Sequence, residues 1–342
     1  MGLTYVRGQY EASEVGNEST DPTKSTKTIY LPVQSFKLEY GEDQMERDDE
    51  ARYRDEPIPV IRDSFAPTWS LTERAYPDTL GFLLKLGLGA PTSTAGDGVI
   101  TDPDGDTIPT GATRHVWTAP FGPAGINPQT AEFTAGYDDE DIFFELRGAG
   151  LDELSLDNQA TGGVKLDAKG PGTFLDRVSD PSLTPALESL AVAPFRGGDL
   201  SLDWLSGSAK LSREFSLKFV NPIEAIRTLG VRSDFPDQVE KGDDLILFTG
   251  EVNARALDAT DIDAMVDATG FAATARWIGN SVIASSYPYG LWFEFDNAQL
   301  TSYDIDELSN KRRHGGKLGF RASRDDAASV TVTLVNATAD YS

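Results

Sequence analysis

The stretch Thr-Asp-Pro-Asp-Gly-Asp-Thr at 101–107 sets Asp102, Asp104 and Asp106 at alternate positions, the spacing with which a calcium loop opens. Thr107 stands where the turn glycine of such a loop belongs, and no glutamate closes the frame, so an exposed acidic turn is expected instead. The two histidines, His115 and His314, have no second histidine at ligand spacing, and the chain contains no cysteine to supply a thiolate. His314 lies in Asn-Lys-Arg-Arg-His-Gly-Gly, a sequence suited to a solvated turn. The glycines around Gly250 and Gly87 form neither a phosphate loop nor a dinucleotide fingerprint, and there is no Gly-x-Ser-x-Gly elbow. Ser206 and Ser208 sit in an alternating strand pattern without a neighbouring base. Carboxylates are too abundant for spacing to select a glycosidase pair. Tyr287, Tyr289 and Trp292 would suit a sugar platform if exposed, but their place at a strand start favours the core. No catalytic residue, metal or cofactor is expected.

The elements that carry these residues are mostly strands. At 342 residues the chain has room for one large β domain or two smaller domains. A net charge of −25 argues against a surface that grips nucleic acid through clustered Lys and Arg. No run is long and apolar enough for a membrane span, and the first residues lack a basic end followed by an apolar core, so we expect no secretory signal and synthesis in a cytoplasm. Residues 1–27 are polar and read as an arm; 28–40 and 64–76 alternate as strands. Pro77 to Gly87 reads as a short amphipathic helix with Leu80, Leu83 and Leu84 on one face and Gly87 as its cap. Residues 91–112 read as a loop, and four strands follow to about 172. A second helix is expected from an Asp258 N-cap to Gly270, with Ile262, Met265 and Val266 on its apolar face.

The order of these elements repeats. Residues 143–157 overlay 292–306 without a gap at an offset of 149, matching Phe144 to Phe293, Glu145 to Glu294, Ala149 to Ala298 and Leu151 to Leu300. Glu-Arg-Ala at 73–75 answers Ala-Arg-Ala at 254–256, each ahead of a helix. Gly162 set against Gly316 matches Val164, Leu166 and Ala168 to Leu318, Phe320 and Ala322. Charged insertions at 41–63 and 222–243 occupy comparable places. The expected organisation is an arm (1–27) and two similar units (28–180 and 181–342), each mainly antiparallel β with one short α-helix, as a sandwich or barrel.

Three stretches carry a family resemblance: 67–89 (Pro-Thr-Trp to Gly-Leu-Gly), 141–170 with Arg-Gly-Ala-Gly-Leu-Asp-Glu-Leu-Ser-Leu-Asp and Gly-Gly-Val-Lys-Leu-Asp-Ala, and 194–226 with Leu-Ser-Arg-Glu-Phe-Ser-Leu-Lys-Phe-Val-Asn-Pro. In order and texture, over about 28–255, they resemble the tail tube proteins of long-tailed, siphovirus-like phages and related archaeal viruses. The resemblance implies a virion structural protein rather than an enzyme, with a β barrel or sandwich bearing an outer helix, similar to the tube of the type VI secretion system. Its partners would be further copies in stacked rings, the tail terminator, tail tip and tape measure proteins, and viral DNA passing without specific binding; no membrane is involved. Family rings present six barrels, so two per chain imply trimeric rings of pseudo-sixfold symmetry. The insertions would then reach between rings through Glu42, Asp43, Glu46, Arg47, Asp48, Asp49, Arg52, Arg54 and Asp55 of the first, and Arg232, Asp234, Asp237, Glu240 and Lys241 of the second. Acidic side chains would line the lumen, so that DNA does not stick. The alternatives are another virion β-barrel component, such as a decoration or baseplate protein, and a carbohydrate-binding β sandwich.

Overall fold

A computed structural model describes residues 4–10, 29–45, 61–119, 129–137, 142–159, 161–178, 192–204, 208–209, 212–226, 235–236, 238–241, 246–254, 259–284, 286–305, 316–322, 330–339 and 341. The first half carries β1 (Thr4–Tyr10), β2 (Ile29–Leu31), β3 (Ser35–Glu39), β4 (Glu42–Met45), β5 (Ile61–Phe65), β6 (Thr68–Arg74), α1 (Pro77–Leu88), β7 (Thr92–Ala95), β8 (Thr113–Ala119), β9 (Ala131–Tyr137), β10 (Ile142–Ala149), β11 (Glu153–Gln159), β12 (Lys165–Pro171) and β13 (Phe174–Val178). The second half carries β14 (Leu200–Trp204), β15 (Ser208–Ala209), β16 (Ser212–Val220), β17 (Ile223–Ile226), β18 (Gln238–Lys241), β19 (Leu247–Ala254), α2 (Ala259–Val266), β20 (Phe271–Val282), β21 (Pro288–Ile305), β22 (Gly316–Ala322) and β23 (Val330–Asn336). The chain is thus mainly β, with two helices and one large antiparallel sheet among the described residues.

One pairing order occurs twice. In the first half β2-β1-β9-β10-β13 forms one layer and β3-β6-β12-β11 another. The second half has β15-β14-β20-β21-β23 and β16-β19-β22-β21, with the long β21 doing the work of both β10 and β11. Even the irregularities recur: the β9–β10 ladder shifts between Leu146 and Ala149, and the β20–β21 ladder shifts between Phe295 and Ala298, each 149 residues on. The layers pack face to face, with Trp69 on Phe133 at 4.7 Å and Phe215 on Trp277 at 5.7 Å between ring centroids.

Several expectations need correction. Among the described residues no barrel closes; the two four-stranded layers join edge to edge through β11 and β16 into a single sheet. The boundary expected at 180 falls outside the described residues. Within the expected arm, Thr4–Tyr10 is a strand paired along its whole length with β9, a short aromatic and branched run hidden by the polar residues after it. The helix α1 continues through Gly87 to a cap at Gly89, where φ is 84°. Gly87 is small because of its neighbours: a Cβ there would lie 2.7 Å from both Leu151 Cδ2 and Phe219 Cε1. The helix is buried on nearly every side rather than amphipathic. On α2, Ala264 and Asp261 face inward while Val266 is 76% exposed, and the αL residue that stops the helix is Ala268. Asp258 and the Ile262 side chain lie outside what is described.

The sequence match between β12 and β22 slips by four residues. Leu154 pairs with Ala168 and Tyr303 with Leu318, so the structural offset is 150 rather than 154; the β6 and β19 ladders, offset by 181, agree. The cause is a swap of large and small residues. In the first half Trp69 lies opposite Gly170; in the second Gly250 lies opposite Phe320, whose ring would be 2.4 Å from a Cβ at Gly250. Aligning bulky residues with bulky ones therefore moves the strand, and an even slip keeps the same face inward.

Candidate functional site

The joined sheet β3-β6-β12-β11-β16-β19-β22-β21 buries alternate side chains and exposes the rest on one broad polar face. Basic Lys37, Arg74, Lys165, Lys169, Lys218, Lys317 and Arg321 on it are matched one for one by acidic Glu39, Glu153, Asp157, Asp167, Glu214, Glu251 and Asp304, with Arg213 added at the β16 bulge. The charges are interleaved. Glu153 Oε2 accepts from Lys169 at 3.1 Å and Lys218 at 2.8 Å, Lys317 reaches Glu251 at 2.9 Å, Lys165 reaches Asp167 at 2.6 Å, and Lys37 pairs with Glu39. Burial alone would raise the Glu153 carboxyl, but the two lysines outweigh it and hold the group below its ordinary value. Such exposed pairs add little to stability because solvent screens them, so their main effect is on the field above the sheet. Among the described residues of the face the charges nearly cancel, so that field is near neutral.

Both charged insertions leave the sheet at one end. The hairpin β4–β5 follows the Glu39–Thr68 pair, and β17–β18 follows Val220, which lies opposite Glu153 and Leu247. The base of the first meets the connection between the strands of the second: Phe65, paired with Glu42, stacks on Phe235, which precedes β18, at 4.9 Å and 20°; Phe235 meets Phe174 of β13 at 4.8 Å, and Tyr40 meets Phe65 at 5.9 Å. Sequence reasoning missed this cluster. The signal was a lone aromatic, Phe235, inside a charged insertion. Of the residues expected to make contacts between rings, Glu42 and Asp43 lie on β4, and Glu240 and Lys241 on β18. Glu240 faces Glu224 across its hairpin and accepts from Gln238, so like charges adjoin there. Glu46, Arg47, Asp48, Asp49, Arg52, Arg54, Asp55, Arg232, Asp234 and Asp237 lie outside the described residues.

The other candidate chemistry is taken up by structure. The excursion from β7 to β8 extends the sheet through β23, and its acidic turn docks on the second half. Asp102 accepts from the Tyr287 hydroxyl and, at 2.9 Å, from the Asp106 amide; Asp104 pairs with Arg276 and accepts from Trp292 Nε1 at 3.2 Å. Those carboxylates accept from protein donors, and no group of three or more potential metal-ligating side chains occurs among the described residues. Burial, then the bond to Asp102, pushes the Tyr287 hydroxyl up. The sugar platform is absent from the surface: Tyr289 and Trp292 are buried and Tyr287 is half-buried. His115 is a core residue, bonded to Ser93 Oγ at 2.8 Å through Nδ1 and to the Thr338 carbonyl at 3.0 Å through Nε2. No protein-family model matches the chain, and no curated protein matches it.

Proposed function

We propose that this chain is the tail tube subunit of a long-tailed, siphovirus-like virus, a virion structural protein made in the host cytoplasm that assembles into stacked rings and conducts DNA. The observation that carries the reading is one strand order used twice to build a single sheet, apolar on its inner side and polar on the other. A subunit that already joins two like units edge to edge needs only further copies to extend the same sheet, and three chains would give six units around the channel. Each unit then stands for one of the family's barrels, its curvature completed in the ring. The near-neutral face suits a conduit: it offers no cluster of Lys and Arg to hold phosphates, and its acids are compensated, so a polyanion meets little attraction or repulsion. Two hairpins that leave the sheet at the same end and meet through the Phe65–Phe235 contact support a role for the charged insertions in contacts with the next ring, where their opposite charges would set register. Terminator, tip and tape measure proteins complete the expected set of partners.

Negative-stain electron microscopy of the purified protein across salt concentrations, with rotational averaging, tests the reading. Hollow stacked rings, threefold at high resolution and nearly sixfold at low, are expected. A persistent monomer, even when an isolated tail tip complex is added as initiator, overturns it. Neutralising Arg47, Arg52 and Arg54 together should shorten tubes and leave single rings folded; tubes of unchanged length would remove the hairpins from stacking.

A further inference from the structure

Among the described residues, the edge-to-edge join inside the chain has two unfilled counterparts. Within the chain, β11 pairs antiparallel with β16 over seven positions, from Glu153 opposite Val220 to Gln159 opposite Glu214. In the repeated order, the last part of β21 is the counterpart of β11, and β3 is the counterpart of β16. The sequence supports the second equivalence: Phe36-Lys-Leu38-Glu-Tyr40 matches Phe215-Ser-Leu217-Lys-Phe219 at an offset of 179. Yet among the described residues β3 pairs only with β6, and the last part of β21 only with β22.

Burial differs between the filled and unfilled edges as a missing strand would require. Phe215, Leu217 and Phe219 are 1%, 2% and 3% exposed under the cover of β11. Phe36 and Leu38 are only half-buried, and Tyr40 is 37% exposed. At the opposite edge Tyr303 is half-buried, whereas its counterpart Leu154 is 3% exposed. Apolar side chains on an unpaired strand with free backbone donors and acceptors make a template for another strand.

We infer that a second copy of this chain fills each edge, β3 of one copy pairing antiparallel with the last part of β21 of the next, in the register of the internal join. Transferring Leu154 opposite Phe219 by the two offsets places Tyr303 of one copy opposite Tyr40 of its neighbour. The same transfer sets Asp304 opposite Glu39, with Lys317 opposite Asp304 on β22 and Lys37 paired to Glu39, so the join continues the compensated charge of the face. The contact is head-to-tail: it closes into a ring where the rotation per chain allows and otherwise grows open-ended. The inference deepens the tube reading and shares with it the requirement that copies self-associate.

The absence of native cysteine makes the test direct. Chains carrying Tyr40→Cys are mixed with chains carrying Tyr303→Cys, and disulfide formation under mild oxidation is followed on non-reducing gels. A disulfide needs Cα atoms within about 4.4–6.8 Å, a condition met by directly opposed positions and failed by a pair four residues out of register. The mixture should give a dimer that neither variant gives alone, and a Tyr40→Cys/Tyr303→Cys double variant should give a ladder of linked copies. Phe36→Cys mixed with Tyr303→Cys should lose the product. The same samples are imaged. Hollow rings without the Tyr40–Tyr303 link would overturn this register and leave the tube reading standing. The link in open chains without hollow rings would do the reverse. Neither link nor assembly, with circular dichroism showing the variants folded, would overturn both.

Discussion

Glu73 ends the inner side of β6 with its carboxyl fully buried, and neither oxygen meets a donor in hydrogen-bonding geometry. Burial raises its pKa from 4.5 to about 8, against a smaller lowering by the nearby Thr79 hydroxyl. The equivalent position in the second half is Ala254, so the strand order does not itself require an acid there. Between pH 4.5 and 8 the unfolded chain has released this proton while the folded chain retains it. Folding then takes up a proton, and stability falls as pH rises, by about 1.4 kcal/mol per unit and about 5 kcal/mol in all. The penalty is absent below the unfolded value and complete above the folded one. Glu73→Gln keeps the shape and removes the titration. Urea unfolding of the monomeric protein from pH 4.5 to 8.5 should therefore show a stability gap in favour of the variant that widens with pH towards about 5 kcal/mol. Other carboxylates titrate alike in both chains and cancel in the difference. Parallel curves, separated by the same amount at every pH, would refute the reasoning, because a carboxyl that ionises normally in the folded state adds no such slope.

Gly250→Val should cost about 1–3 kcal/mol in denaturant unfolding, since the Phe320 ring and the Ser216 carbonyl oxygen occupy the space of the new side chain; an unchanged midpoint would show that both the ring and the neighbouring strand can give way. Tyr341→Phe should cost about 1–2 kcal/mol, because the Asp78 carbonyl loses a donor at 2.9 Å and Asn336 Nδ2 loses an acceptor at 2.6 Å. Thermal melts that do not move would show those groups satisfied elsewhere. Calcium should leave the melting temperature unchanged, since Asp102 and Asp104 already serve Tyr287, Arg276 and Trp292; a saturable rise would reveal a site at that turn.

The chain's own alternation was enough to mark most strands, both helices and their repetition, because side chains on a strand alternate and a helix needs a longer period. The 149-residue match survives in the ladders because β10, β11 and β21 keep the same bulge and the same partners. Three things were decided only by tertiary contact. The register of β22 depends on which side of a cross-strand pair carries the bulk, Trp69 over Gly170 or Phe320 over Gly250, and residue type alone cannot assign that. The neutrality of the polar face depends on which of many acids point outward beside a lysine, whereas composition gives only the total of −25. The joining of the halves into one sheet rests on backbone hydrogen bonds between β11 and β16, separated by more than fifty residues, and backbone groups leave no trace in the side-chain pattern.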